Sequence, residues 1–342
     1  MNFLLILALT IQTIAASFAV IFNSFLLYVM HKYTTNNFGF YKYILMSFSF
    51  FEILFAIVVL LGEPIFFISD RTLIAFTYYG PIASTRLSFL GPTTYCFFYE
   101  IWLGFVVLHF LYRYISVCQK DIKDKVGRTP GIQCLLWLVV IFYVSFCFFC
   151  AYFSCTRNKP HNKLMQTIYS TFGVANGTQV ANYVLRFTDI DGNFSILSTL
   201  AVLTHYVIIC GSVVIVICCS WGLWNVIRDV RRMGVNICLE KQLFKSLLLQ
   251  TIVPVIFSHL PSFIAMCFPL IGFDLDIFSF FSVFTTVPKA LDPIILLMCI
   301  KCYRRGVAKM LYAGAKVFAS TSGASGRVVQ VTPATARKTP LS

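Results

Sequence analysis

At 342 residues, with 58% hydrophobic and only 12% charged side chains and a mean hydropathy of +0.81, the chain is too apolar for a soluble two-domain protein, where about a quarter of residues carry charge. Its net charge of +14 would suit nucleic acid, but the basic residues fall in loops between apolar runs, where they orient membrane segments, so no nucleic-acid partner is expected. The 13 cysteines are too scattered for a disulfide framework, and Cys147–Cys150 and Cys299–Cys302 lack the second pair that a zinc ribbon needs, so no metal and no cofactor is expected either.

Seven apolar runs follow in order. The first, about Phe3 to Met30, has no charged side chain, no basic region before it, and too much length for a signal peptide. The others run from about Tyr43 to Ile68, Phe89 to Tyr112, Ile132 to Phe153, Ile196 to Trp224, Ser246 to Ile271 and Ile277 to Ile300. Each exceeds the roughly 20 residues that cross a bilayer as a helix. The expected fold is therefore all-α, a seven-transmembrane helix bundle over residues 1–300 with its termini on opposite sides. With the amino terminus outside, 20 of the 27 lysines and arginines lie on the cytoplasmic side, six lie outside, and Lys289 is within the seventh run. The sequons at Asn176 and Asn193 both fall in the loop between the fourth and fifth runs, on the side that charge designates as outside, and are expected to be glycosylated. Residues 301–312 alternate basic and apolar positions like a short interfacial amphipathic helix, with Cys302 a candidate for palmitoylation. Residues 313–342 are rich in Ser, Thr, Gly, Ala and basic residues, as in a disordered cytoplasmic tail, and offer hydroxyl groups to a kinase and then an arrestin-like protein.

Ionisable groups inside membrane segments are costly and mark function. Asn23, Glu52 and Asp292 each lie nine or ten residues from the cytoplasmic end of their segment, roughly 14 Å deep at 1.5 Å per residue. They are expected to form one buried polar layer, hydrogen-bonded or holding water or a cation, which either glues three helices or acts as a switch. Lys289, one turn outward from Asp292, is placed to pair with Asp292 or with Glu100. Glu100 lies about 20 Å outward from Arg113 and, with Tyr99, His205, His259 and Lys289, forms a candidate small-molecule pocket in the outer half of the bundle. Pro254 and Pro261 share a face of the sixth run, and Pro288 and Pro293 interrupt the seventh, so kinks are expected in both. Cys96 and Cys155 are a candidate extracellular disulfide that spacing alone does not establish.

Arg113 closes the third run and leads into Lys120, Lys123, Lys125 and Arg128, which marks that end as cytoplasmic. No His-Glu-x-x-His, Gly-x-Ser-x-Gly or phosphate-cradling glycine loop occurs, and an enzyme is not expected. Nor are there the repeated halves of a transporter. An odour-gated channel of the insect type would have its amino terminus inside, against the charge count and the sequons.

Several stretches carry a family resemblance: Asn23-Ser-Phe-Leu-Leu-Tyr28, Gly39-Phe-Tyr-Lys-Tyr43, Phe51-Glu52, His109-Phe-Leu-Tyr-Arg-Tyr114, Gln242 through Pro254, and Pro288-Lys-Ala-Leu-Asp-Pro293 with Tyr303-Arg304. In these the chain resembles G-protein-coupled receptors, specifically the nematode seven-transmembrane chemoreceptors of the Str superfamily. The resemblance implies a receptor for small odorant-like ligands in the plasma membrane of sensory neurons, in the cilium, signalling through a heterotrimeric G protein. Arg113 matches the arginine of the receptor Asp-Arg-Tyr motif, with Tyr112 in place of the acid. Asp292-Pro293 matches Asn-Pro-x-x-Tyr, with Leu296 in place of the tyrosine. An opsin would carry its retinal lysine where Thr286 stands, so Lys289 is out of place for one. Contacts to the G protein are expected from Arg113, Tyr114, Lys241, Lys245, Tyr303 and Arg304.

Overall fold

The structure is a computed structural model that describes residues 3–34, 38, 40–69, 72–77, 90–119, 181–186, 196–232, 238–272 and 280–324, with scattered positions between 138 and 170. Its helices are α1 (Phe3–Tyr33), α2 (Tyr41–Gly62), α3 (Leu90–Cys118), α4 (Ile196–Arg232), α5 (Cys238–Pro254), α6 (Leu260–Ile271), α7 (Phe281–Cys299) and α8 (Lys301–Ala324), and a five-residue π-helix, Val255–His259, joins α5 to α6. Among the described residues six helices are long and apolar enough to cross a membrane. They correspond to the first, second, third, fifth, sixth and seventh runs. Most of the fourth run lies outside the described residues, as do Asn176, Asn193 and Cys155, and with them the proposed glycans and disulfide.

Packing follows chain order. α1 lies against α2 and α7, α3 against α2 and α4, and α5 against α7. Phe55, Trp102, Tyr95 and Leu103 are buried at the centre, while Phe18, Ile21, Val207 and Trp221 face outward, as a bundle solvated by lipid requires. Close approach between α3 and α4 depends on Gly222. A Cβ there would stand 2.5 Å from Tyr114 Cε2, whereas a Cβ at Gly211 on the same helix would meet nothing within 4 Å. Gly222→Ala is therefore expected to destabilise the bundle by about 1–3 kcal/mol through overpacking. Gly211→Ala is expected to be neutral in the same thermal-unfolding measurement on purified protein.

Three departures from the sequence expectation have physical causes. The second run does not stay helical to Ile68. Glu63 adopts the left-handed conformation (φ 37°) with its N–H bonded to the Val59 carbonyl at 2.8 Å, and Pro64 follows, so the helix ends at Gly62. Beyond it, β1 (Ile65–Ser69) and β2 (Thr72–Thr77) form a hairpin with Ser69 opposite Thr72, and β3 (Ala181–Arg186) adds antiparallel to β2. All six residues of β2 are buried, and the sheet packs on α3, α6 and α7 at the end of the bundle away from Arg113.

The sixth run is divided by the π-helix after Pro254, where the expected kink becomes a change of helical register. α7 continues unbroken through Pro288 and Pro293. Finally, α8 extends past Tyr312 to Ala324, because Ala-rich sequence with no proline in that stretch sustains a helix that composition alone had suggested was disordered.

Candidate functional site

The three polar residues expected at one depth are all buried. Asn23, Glu52 and Asp292 are all at most 1% exposed, and they come from α1, α2 and α7. Asn23 Nδ2 donates to the Lys289 carbonyl at 3.1 Å and to the Ala19 carbonyl at 3.0 Å, fastening α1 to α7. Glu52 and Asp292 both act electrostatically on Lys289. Lys289 itself is fully buried between two aromatic faces, with Nζ 4.0 Å from the Phe55 ring centre and 4.6 Å from that of Trp102. Its ammonium also donates to the Thr285 carbonyl. Neither pairing open from the sequence forms as a direct ion pair among the described residues: Nζ is held by the two rings and the Thr285 carbonyl. Glu100 is engaged elsewhere.

Both Asp292 carboxyl oxygens, Asn23 Oδ1 and Ser49 Oγ are buried and meet no hydrogen-bond partner among the described residues. With both acids ionised, one ammonium between two carboxylates would leave one negative charge for a proton or a bound cation to offset. Ser49 is buried one turn from Glu52 on the same helix. Its hydroxyl escaped the sequence reading because serine is common in membrane helices and carries no charge.

Further from Arg113, a second cluster surrounds Trp102. Glu100 Oε1 and His205 Nδ1 are 2.5 Å apart, linking α3 to α4. The His205 ring lies 6.1 Å from that of Tyr99, which lies 6.2 Å from Trp102, which lies 5.9 Å from His259. Tyr99 shares a hydrogen bond of 2.8 Å with Ser262 of α6, and Trp102 Nε1 donates to Glu52 at 3.4 Å. Tyr99, Glu100, His205 and His259 thus fall in one cluster, and Trp102 joins it to Lys289 of the polar layer. Two further ties, Tyr95 with Thr285 and Gln12 with Ser282 (2.6 Å), were missed because hydroxyl and amide side chains within helices give no periodic signal.

The basic end is different. Arg113 is 7% exposed, with its guanidinium carbon 4.8 Å from the Tyr41 ring centre. Tyr41 stacks on Tyr112 at 5.8 Å with 8° between the planes, so the residue in place of the motif's acid helps to position the aromatic platform beneath the arginine. Lys241 and Lys245 are exposed. Arg304 is also exposed and donates to the Met298 carbonyl at 3.1 Å. Tyr303 is fully buried, 3.1 Å from Thr34 Oγ1 and stacked on Phe38, so here it anchors α8 to α1 instead of facing a partner. An amphipathic pattern does not say which aromatic side chain turns inward, and here Tyr303 does. Tyr114 packs toward Gly222.

Comparison with known proteins places the chain in a family. The family model described as "Serpentine type 7TM GPCR chemoreceptor Str" matches residues 8–308. The chain is 26% identical over 284 residues to "Serpentine receptor class r-10" of Caenorhabditis elegans, covering 80% of this chain and 82% of the relative. It is 27% identical over 297 residues to the protein of the same name from Caenorhabditis briggsae, covering 84% and 85%. "G-protein coupled receptor str-33" of Caenorhabditis elegans is 23% identical over 343 residues, 95% of each chain. The chain is a multi-pass membrane protein and belongs to the Str family of serpentine seven-transmembrane chemoreceptors.

Proposed function

We propose that this receptor binds a small organic ligand at the cluster of Glu100, His205, Tyr99 and His259, and that binding activates a heterotrimeric G protein at the end bearing Arg113. In this reading the amino terminus lies outside the plasma membrane, in the sensory cilium, and the basic end faces the cytoplasm. The observation that carries the proposal is the position of Trp102. Its ring touches the ligand cluster through Tyr99 and His259, and the polar layer through Lys289 and Glu52. A ligand that displaces Tyr99 or His205 shifts Trp102, and Trp102 cannot move without disturbing Lys289. The charge-deficient layer is the two-state element, because it gains or releases its proton or cation as the indole shifts. The π-helix at Val255–His259, which includes His259, lets the Arg113-side half of the sixth segment move relative to α6. G-protein contacts fall to Arg113, Tyr114, Lys241, Lys245 and Arg304, and the tail offers sites to a kinase and an arrestin-like protein.

The test is ligand potency. With a responding odorant in hand, Glu100→Gln and His205→Ala are each expected to lower potency about 10- to 100-fold, the loss of a charge-assisted hydrogen bond of about 1.5–3 kcal/mol. Surface delivery is expected to stay normal. Unchanged potency in both variants would place the ligand elsewhere.

A further inference from the structure

Between α4 and the α5–π-helix stretch lies a cavity of about 510 Å³, within the roughly 300–1,000 Å³ of small-molecule sites. It adjoins the cluster around Glu100 at His259, which lines both. Its floor is buried and includes Val106 of α3 and Val216 of α4. Its rim is exposed, with Ile217 at 61% and Trp221 at 69%, so the mouth opens on the lipid-facing surface of the bundle. The walls are almost purely apolar. The hydroxyls of Ser212 and Thr251 are bonded back to the Ile209 and Leu247 carbonyls of their own helices. The other polar groups in the lining are the buried Ser220 hydroxyl and His259, whose Nδ1 is bonded to the Pro254 carbonyl, so most of the wall suits a hydrocarbon chain.

What lies at one end of the slot identifies the rest of the occupant. On α4 the lining residues Ile217, Trp221 and Trp224 recur at helical spacing, and the same face continues to Arg228. On α5, Phe244, Leu248 and Ile252 recur likewise, and the face begins at Lys241. The rings of Trp224 and Phe244 meet at 6.3 Å and close this end. Arg228 and Lys241 therefore stand one turn beyond each member of that ring pair, both exposed, with Lys245 beside them. Asp229, 3.6 Å from Arg228, offsets part of this charge, but the basic groups outnumber it.

We propose that this cleft is a binding site for an anionic membrane phospholipid, with one acyl chain between α4 and α5 and its phosphate headgroup held by Arg228 and Lys241. The chain lies against Val255 and Ile256 of the π-helix, so occupancy sets the separation of the fifth and sixth membrane segments. Trp221 and Trp224 sit at headgroup depth, where their amphipathic rings are favoured.

The test is photolabelling of the full chain reconstituted in phosphatidylcholine vesicles. Two probes carry the same diazirine-bearing acyl chain, one on phosphatidylserine and one on phosphatidylcholine. The serine probe is expected to label peptides spanning residues 213–224 and 244–256 at least about fivefold more than the choline probe, since each nearby basic residue contributes about 1 kcal/mol toward an anionic headgroup. Arg228→Gln combined with Lys241→Gln is expected to abolish that excess. Leu248→Trp, which fills the slot, is expected to reduce labelling there by both probes while leaving the outward face of α1 labelled as before. Equal labelling of the cleft by the two probes would mean that only bulk lipid touches it and would overturn the proposal. So would an excess that survives both sets of substitutions.

Discussion

Arg113→Ala is expected to abolish G-protein activation while the receptor still reaches the membrane, and Tyr41→Leu is expected to do the reverse, raising activity without ligand. In the described conformation the arginine lies flat over Tyr41, 4.8 Å from the ring centre, on a platform completed by Tyr112. A desolvated cation–π contact contributes up to about 2 kcal/mol. Removing the ring while leaving the charge should therefore shift the resting equilibrium by as much as about 30-fold toward states in which Arg113 is available to a partner. The measurement is basal and ligand-stimulated nucleotide exchange, normalised to surface protein. Tyr41→Phe is the informative companion. It preserves the aromatic face and should remain silent without ligand, whereas a role for the hydroxyl would make it resemble Tyr41→Leu.

The second large effect concerns Lys289. Lys289→Met should leave Glu52 and Asp292 as two buried acids without their cation, and breaking a buried charge arrangement costs about 3–5 kcal/mol. We expect poor surface delivery and a lowered unfolding temperature in detergent. Recovery should be stepwise, partial in Lys289→Met with Asp292→Asn and nearly complete when Glu52→Gln is added, since the layer is then neutral. Such a neutral triple variant should fold yet fail to switch. Glu52→Gln or Asp292→Asn alone should change basal activity or ligand potency. If both single variants signal normally, the layer only holds α1, α2 and α7 together.

Much of this was legible in the sequence because membrane solvation leaves few ways to place charge. Three polar residues at one depth on three segments had to be buried inside the bundle, and Asn23, Glu52 and Asp292 are, with Asn23 bonded across to the Lys289 carbonyl of α7. Arg113 at the end of an apolar run, followed by lysines, marked the basic end. The sheet was not legible. Ile65–Ser69 is an apolar stretch too short to distinguish strand from buried helix by periodicity, and the break signalled by Glu63-Pro64 was the one clue. The role of Trp102 was equally hidden, because in a chain with 36 Phe and 17 Tyr an added aromatic residue stands out only once its neighbours are known. The cleft between α4 and α5 depends on how far apart two helices pack, which no local pattern encodes.

The account turns on whether the chain couples a ligand to a G protein. The decisive measurement is second-messenger output from cells expressing the chain with a promiscuous G protein, screened against a panel of small odorants, with bilayer current recorded in parallel. The expected result is an odorant response that disappears in Arg113→Ala and weakens in Glu100→Gln. Ligand-evoked current that persists without any G protein would contradict it.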